Sequence, residues 1–234
     1  MSLGVLCMAS TAIDVEIHTR VFFYESSIGK KAVMAVTGAM LCGYALAHMI
    51  GNLQVFAGRA QINGYAELLH AHPLLLWIAR VVLLAAVGLH IVTALQLWLL
   101  KRRARPIAYY KQAQVPPGYA SRTMLWTGPL LAAYVVYHVM HLTLGDAGLP
   151  FRPLDAYDNV VAGFQIPAVS AAYVAAMLVL SLHLYHGVWS IFQSLGVSHP
   201  RYALLLKRLS AAVAIVVGAG FISIPVAVVT GLIS

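Results

Sequence analysis

Five apolar stretches, at 31–57, 74–100, 124–144, 166–195 and 209–233, dominate the chain. Each reaches the roughly 20 helical residues needed to cross a hydrocarbon core of about 30 Å. Backbone amides and carbonyls buried in lipid must be satisfied within the same segment, so such stretches fold as helices. The expected fold is therefore all-α, an integral membrane bundle of five transmembrane helices (spans I–V). With 61% of its 234 residues hydrophobic and 9% charged, the chain falls far from soluble domains. The spans take up most of the sequence, which leaves no room for a soluble catalytic domain. Residues 1–28 read as an N-terminal interfacial segment, amphipathic over 14–28, and 29–234 as the membrane domain. Residues 3–13 are apolar, but they are too short to span and lack the preceding positive charge of a signal peptide.

A net charge of +8 raises nucleic acid as a partner, but the placement of the charges argues against it. Lys30 and Lys31 precede span I. Lys101, Arg102, Arg103, Arg105, Lys111 and Arg122 fill the II–III connection, and Arg201, Lys207 and Arg208 the IV–V connection. The other two connections are mixed, with Arg59 and Glu67 in one and Asp146, Arg152, Asp155 and Asp158 in the other. Positive charge on one face marks the cytoplasmic side of an inner membrane, with the N-terminus inside and the C-terminus outside. Residues 145–165 read as an outer loop, because Pro150 and Pro153 prevent a continuous helix. Cys7 and Cys42 suggest neither a disulfide framework nor a thiolate metal site, and Cys42 reads as a small packing residue.

Six of the ten histidines fall inside spans: His48 in I, His90 in II, His138 and His141 in III, His183 and His186 in IV. Ionisable groups in a membrane are costly and usually functional. A lone one often just bonds a neighbouring helix; one on each of four successive spans is harder to explain as packing. At 1.5 Å per residue His48 lies roughly 28 Å beyond Gly29, toward the outer side, and His138 is likewise in the outer half. Spans II and IV run back, so His90 and His183 belong to the inner half. Two histidines at each of two levels is what two stacked haems b require, each held from both faces by imidazoles. Small residues nearby (Gly43, Ala45, Ala47, Gly88, Gly187) suit a flat macrocycle, though they also serve helix packing. His141 and His186, at i+3, share a face with His138 and His183, and spacing leaves open which of each pair is the ligand or whether the second binds a propionate. His18, His70, His72 and His199 lie in connections or before span I and read as solvated.

At these residues the chain resembles the di-haem cytochrome b membrane anchor of succinate dehydrogenases and fumarate reductases, over roughly 22–232. The resemblance rests on residues 26–31 (SSIGKK) and 34–38 (MAVTG) opening span I, and on 47–53 (AHMIGNL) and 88–90 (GLH). It continues through 137–143 (YHVMHLT) and His183, Gly187, Trp189 and Ser190, which match the pattern H-x-x-x-G-x-W-S. It implies that His90 and His183 ligate a haem near the soluble subunits, and His48 and His138 one far from them. It favours His138 over His141, and the motif's Gly187 and Trp189 favour His183 over His186. It further implies a flavoprotein and an iron–sulfur subunit on the cytoplasmic side, with electrons passing through both haems to a membrane quinone, expected to be menaquinone. Glu67 in the outer I–II connection is then a candidate for quinone proton chemistry, with Asn63 and His70 nearby; a solvated loop glutamate is the plainer reading.

One departure matters. Some fumarate-reducing relatives carry protons on a glutamate inside span IV, whereas here all seven acidic residues lie outside the central spans and Ser181 stands two before His183. No such proton path is expected. Competing readings are the cytochrome b anchor of a hydrogenase or formate dehydrogenase, whose partners sit outside, and a haem-free membrane protein.

Overall fold

A computed structural model describes residues 23–104, 119–149, 151–197 and 199–234. Among them every regular element is helical. The long helices are α1 (Ser27–Asn52), α3 (Pro73–Arg103), α4 (Tyr119–Val139), α6 (Pro167–Ser194) and α7 (Pro200–Val229), with short α2 (Arg59–His70) and α5 (Ala156–Phe164) in the connections. The sequence marks their starts. Ser26 caps α1, its hydroxyl accepting from Gly29 N at 2.9 Å. Proline opens α3, α6 and α7, where a missing N–H costs nothing.

Four helical stretches, Ser27–Ala57, Pro73–Arg103, Pro167–Ser194 and Pro200–Val229, are long and apolar enough to cross a membrane. At 28 to 31 residues each exceeds the roughly 20 required. The fifth expected span, 124–144, falls in α4 and the π turn Met140–Leu144 that continues it. Tyr134, Tyr137, His138, His141 and Pro129 dilute its apolar character, and it is not among the four.

The exposed surface is that of a chain covered by lipid. Over 31 residues α3 buries only Ala86 and Thr93, while Leu74, Leu75, Ile78, Val81, Leu84 and Leu95 are all more than half exposed. At 1.5–3 kcal/mol for burying such a side chain, these six alone forgo on the order of 10 kcal/mol in water. That rivals a whole domain's stability.

α1, α4 and α7 run one way and α3 and α6 the other. Lys30, Lys31, Arg102, Arg103, Arg122 and Arg201 therefore gather at one end, the basic end. The far end is a cap. There α2 and α5 pack on the 3-10 turn Leu53–Ala57 and the end of α7 through Val55, Ile62, Val160, Phe164 and Ile224. Charges tie its rim: Arg59 pairs with Asp155 at 3.1 Å and with Asp158, and Arg152 reaches Asp158 at 2.9 Å. The expected outer loop 145–165 thus contains a helix, begun after both prolines, with Asp155 capping it by accepting from Asp158 N. The bundle centre is held by Met49, Leu184, Ala214 and Val217, with Cys42 packed against them as expected. Of the expected interfacial segment 1–28, residues 1–22 lie outside the described residues, as do 105–118 of the basic connection.

Candidate functional site

The histidines meet in pairs. His48 of α1 faces His138 of α4 with ring centroids 5.8 Å apart, and His90 of α3 faces His183 of α6 at 6.4 Å. The two pairs lie at different heights. On α1, Thr37 stands beside His90 and His48 beside His138. These positions are three helical turns apart, about 16 Å at 1.5 Å per residue.

The helices carrying each pair are held apart. α1 packs closely on α3, α6 and α7, and α4 on α6, whereas neither α1 with α4 nor α3 with α6 makes an extended backbone contact among the described residues. Each pair therefore spans a diagonal of the four helices. All four paired histidines are half-buried, not sealed in. Gly43, Gly88 and Gly187 border open space, with no heavy atom within 4 Å of where a Cβ would stand.

Hydrogen bonds fix how the rings present themselves. The Thr37 hydroxyl donates to the Val33 carbonyl at 2.8 Å, so toward His90 Nδ1, 3.1 Å away, it can only accept. Nδ1 then carries the proton and the Nε2 lone pair is free. Thr127 of α4 is placed similarly, its hydroxyl 3.2 Å from His183 Nδ1 and 3.4 Å from the Met124 carbonyl. Fixing one ring nitrogen from outside is how proteins orient an imidazole toward a metal. At the other level His48 stacks on Tyr44 and His138 on Tyr134. The Asn52 amide donates to the His48 carbonyl at 2.7 Å and stands 3.3 Å from both ring nitrogens of His48, and the Tyr173 hydroxyl lies 3.4 Å from His138 Nδ1.

This donor set can be tested against a haem. Two imidazoles on opposite faces of one metal, each with a nitrogen about 2 Å from it, place their ring centroids a little over 6 Å apart. The observed 5.8 and 6.4 Å bracket that spacing. No group of three histidine, cysteine or carboxylate side chains able to hold a bare ion occurs among the described residues. Two facing imidazoles complete a coordination sphere only if another molecule supplies the equatorial ligands, which a porphyrin does. The residues fit the group.

The alternative ligands sit differently. His141 is buried, at 2% exposure, and its ring contacts Tyr137 and Tyr173. His186 is half-buried on α6 one turn from His183. Of the candidates near Glu67, Asn63 is engaged structurally: it donates to Asp155 at 2.9 Å and accepts from Tyr157 N at 3.0 Å. Glu67 and His70 lie on the exposed face of α2, where His70 bonds the Ala66 carbonyl. Ser181 donates to the Met177 carbonyl within α6.

Sequence reasoning passed over Thr37, Thr127, Tyr173 and Arg80. The threonines carry a readable signal, since each precedes a histidine on its own helix by the same interval, Thr37 to His48 and Thr127 to His138. Arg80 is a cation inside the expected span 74–100; it lies over Trp77 at 5.2 Å and within electrostatic reach of Tyr44, which stacks on His48.

The described residues define an all-helical fold with four helices long and apolar enough to cross a membrane and two diagonal histidine pairs at two heights. No protein-family model, no curated protein and no solved structure matches the chain.

Proposed function

We propose that this chain is the five-span di-haem cytochrome b anchor of a succinate dehydrogenase or fumarate reductase. In that role it passes electrons between an iron–sulfur subunit and a membrane quinone, expected to be menaquinone. The observation that carries the reading is the pair of imidazole pairs, each at the spacing of two axial ligands and on a different diagonal. Haem b, when bound, would accept and release single electrons, and with two histidines holding each group it would serve electron transfer and not oxygen binding.

The chain's own residues do the rest. His90 and His183 hold the group nearer the basic end, with Thr37 keeping the Nδ1 proton of His90 in place and Thr127 bonding Nδ1 of His183. His48 and His138 hold the one nearer the far end, steadied by Tyr44, Tyr134 and Tyr173. Arg80 offers a cation to a propionate at that level. The basic end faces the cytoplasm and docks the iron–sulfur and flavoprotein subunits. Quinone is handled at the far end, where Glu67 and His70 are available for proton exchange, while Asn63 serves the cap. With Ser181 bonded inside α6 and no carboxylate in the central spans, no proton path accompanies the electrons.

A reduced-minus-oxidised visible spectrum of the purified chain, with a haemochrome assay, tests this. Two haems b per polypeptide are expected, and alanine at 48, 90, 138 or 183 should remove one. A colourless, folded, membrane-inserted chain would overturn the proposal.

A further inference from the structure

Tyr173 of α6 touches two histidines at once. Its hydroxyl lies 2.9 Å from His141 Nδ1 and 3.4 Å from His138 Nδ1. Its ring is clamped by Phe164 at 4.8 Å and by Tyr134 and Tyr137, and it is only 5% exposed. The other nitrogen of His141, Nε2, is buried with no hydrogen-bond partner. It abuts Gly163 of α5 so closely that a Cβ there would stand 2.5 Å from it. An unsatisfied buried polar group is costly, and a leucine of similar volume would avoid that cost. The π turn Met140–Leu144, of a kind often found at functional sites, carries His141.

We infer that Tyr173 and His141 form a positioning pair for His138, the Tyr173 hydroxyl oxygen accepting a hydrogen bond from His138 Nδ1–H and its O–H donating one to His141 Nδ1. This rests on the haem reading proposed above. The directions follow from counting protons. A His138 that offers Nε2 to a metal carries its proton on Nδ1, so toward Tyr173 it donates. The tyrosine has one O–H, which then donates to His141. His141 must present a lone pair at Nδ1, so its own proton sits on Nε2, against Gly163. His141 is thus no ligand; it orients the group that orients the ligand. Donation from Nδ1 to an acceptor makes an imidazole a stronger electron donor at Nε2 and favours the oxidised metal.

The test is a redox titration of the full-length haem-loaded chain, resolving both haems, with low-spin electron paramagnetic resonance on the same samples. Tyr173→Phe is expected to favour reduction of the His48–His138 haem by three- to tenfold, about 30–60 mV at 59 mV per decade. His141→Leu is expected to shift it the same way by less. His141→Asn, whose amide carbonyl can still accept from Tyr173, should restore the native value. The His90–His183 haem should be unmoved in all three. If the Tyr173→Phe chain fails to retain haem, the two His141 variants carry the test. The inference is overturned if His141→Leu leaves both the potential and the resonance signal native, or if His141→Asn shifts them as far as the leucine. A native chain without haem would instead overturn the parent reading, and this one with it.

Discussion

Thr37 and Thr127 tie imidazole orientation to helix packing, since each sits on one helix and bonds a histidine of another. Replacing either with valine keeps the shape and removes the hydroxyl. Loss of such an outer bond typically weakens metal retention by 10–100-fold. On the haem reading proposed above, Thr37→Val and Thr127→Val should therefore each accelerate loss of the group held by His90 and His183 to apomyoglobin, leaving loss of the one held by His48 and His138 unchanged. The histidines were legible in the sequence because an ionisable side chain in an apolar helix stands out. The threonines were not, because a threonine in such a helix ordinarily bonds its own preceding turn, as Thr37 also does with Val33. Nor could spacing choose between His138 and His141. The two Nδ1 atoms converge on one hydroxyl supplied by Tyr173, more than thirty positions further along the chain.

The cap at the far end is an element-scale device. Arg59 holds the Asp158 carboxyl below its ordinary value of 3.8, mainly by hydrogen bonding to it. A carboxyl depressed on folding contributes stability that is fully present above its unfolded value. That contribution is lost as the pH falls through the lower folded one. Amide protection in α2 and α5, taken relative to the intrinsic exchange rate at each pH, is thus expected to be flat from neutral pH to about 5 and to fall below about 4. Asp158→Asn should remove this acid step, while exchange in α6 should show none of it. Helices α2 and α5 were read as loops from sequence. Both are short, and α5 begins at the Asp155 cap, after Leu154 at a φ of 64°. What makes it a helix is a tertiary partner, with Asn63 and Arg59 of α2 holding its first turn. Nothing local in 145–165 announces those contacts.

Across the whole molecule, the direction of the long helices and the gathering of lysine and arginine at one end were both readable from hydropathy and charge. The span that is hardest to recognise by composition is α4, since its polar residues are those turned to the site. Cysteine placed at Gln61 in a chain otherwise free of Cys7 and Cys42 is expected to react with an impermeant maleimide only from outside intact cells. One placed at Arg201 should react only after the membrane is opened; the reverse pattern would invert the proposed orientation. The crossed diagonals also bear on how the protein is made. Each pairing joins a helix from the first half of the chain to one from the second, so nothing completes while only α1 and α3 have left the ribosome. The His48–His138 pair becomes possible once α4 has emerged, and the His90–His183 pair only after α6. On the haem reading, a nascent chain stopped between them can hold one of its two prosthetic groups, and biogenesis acquires a fixed order of loading.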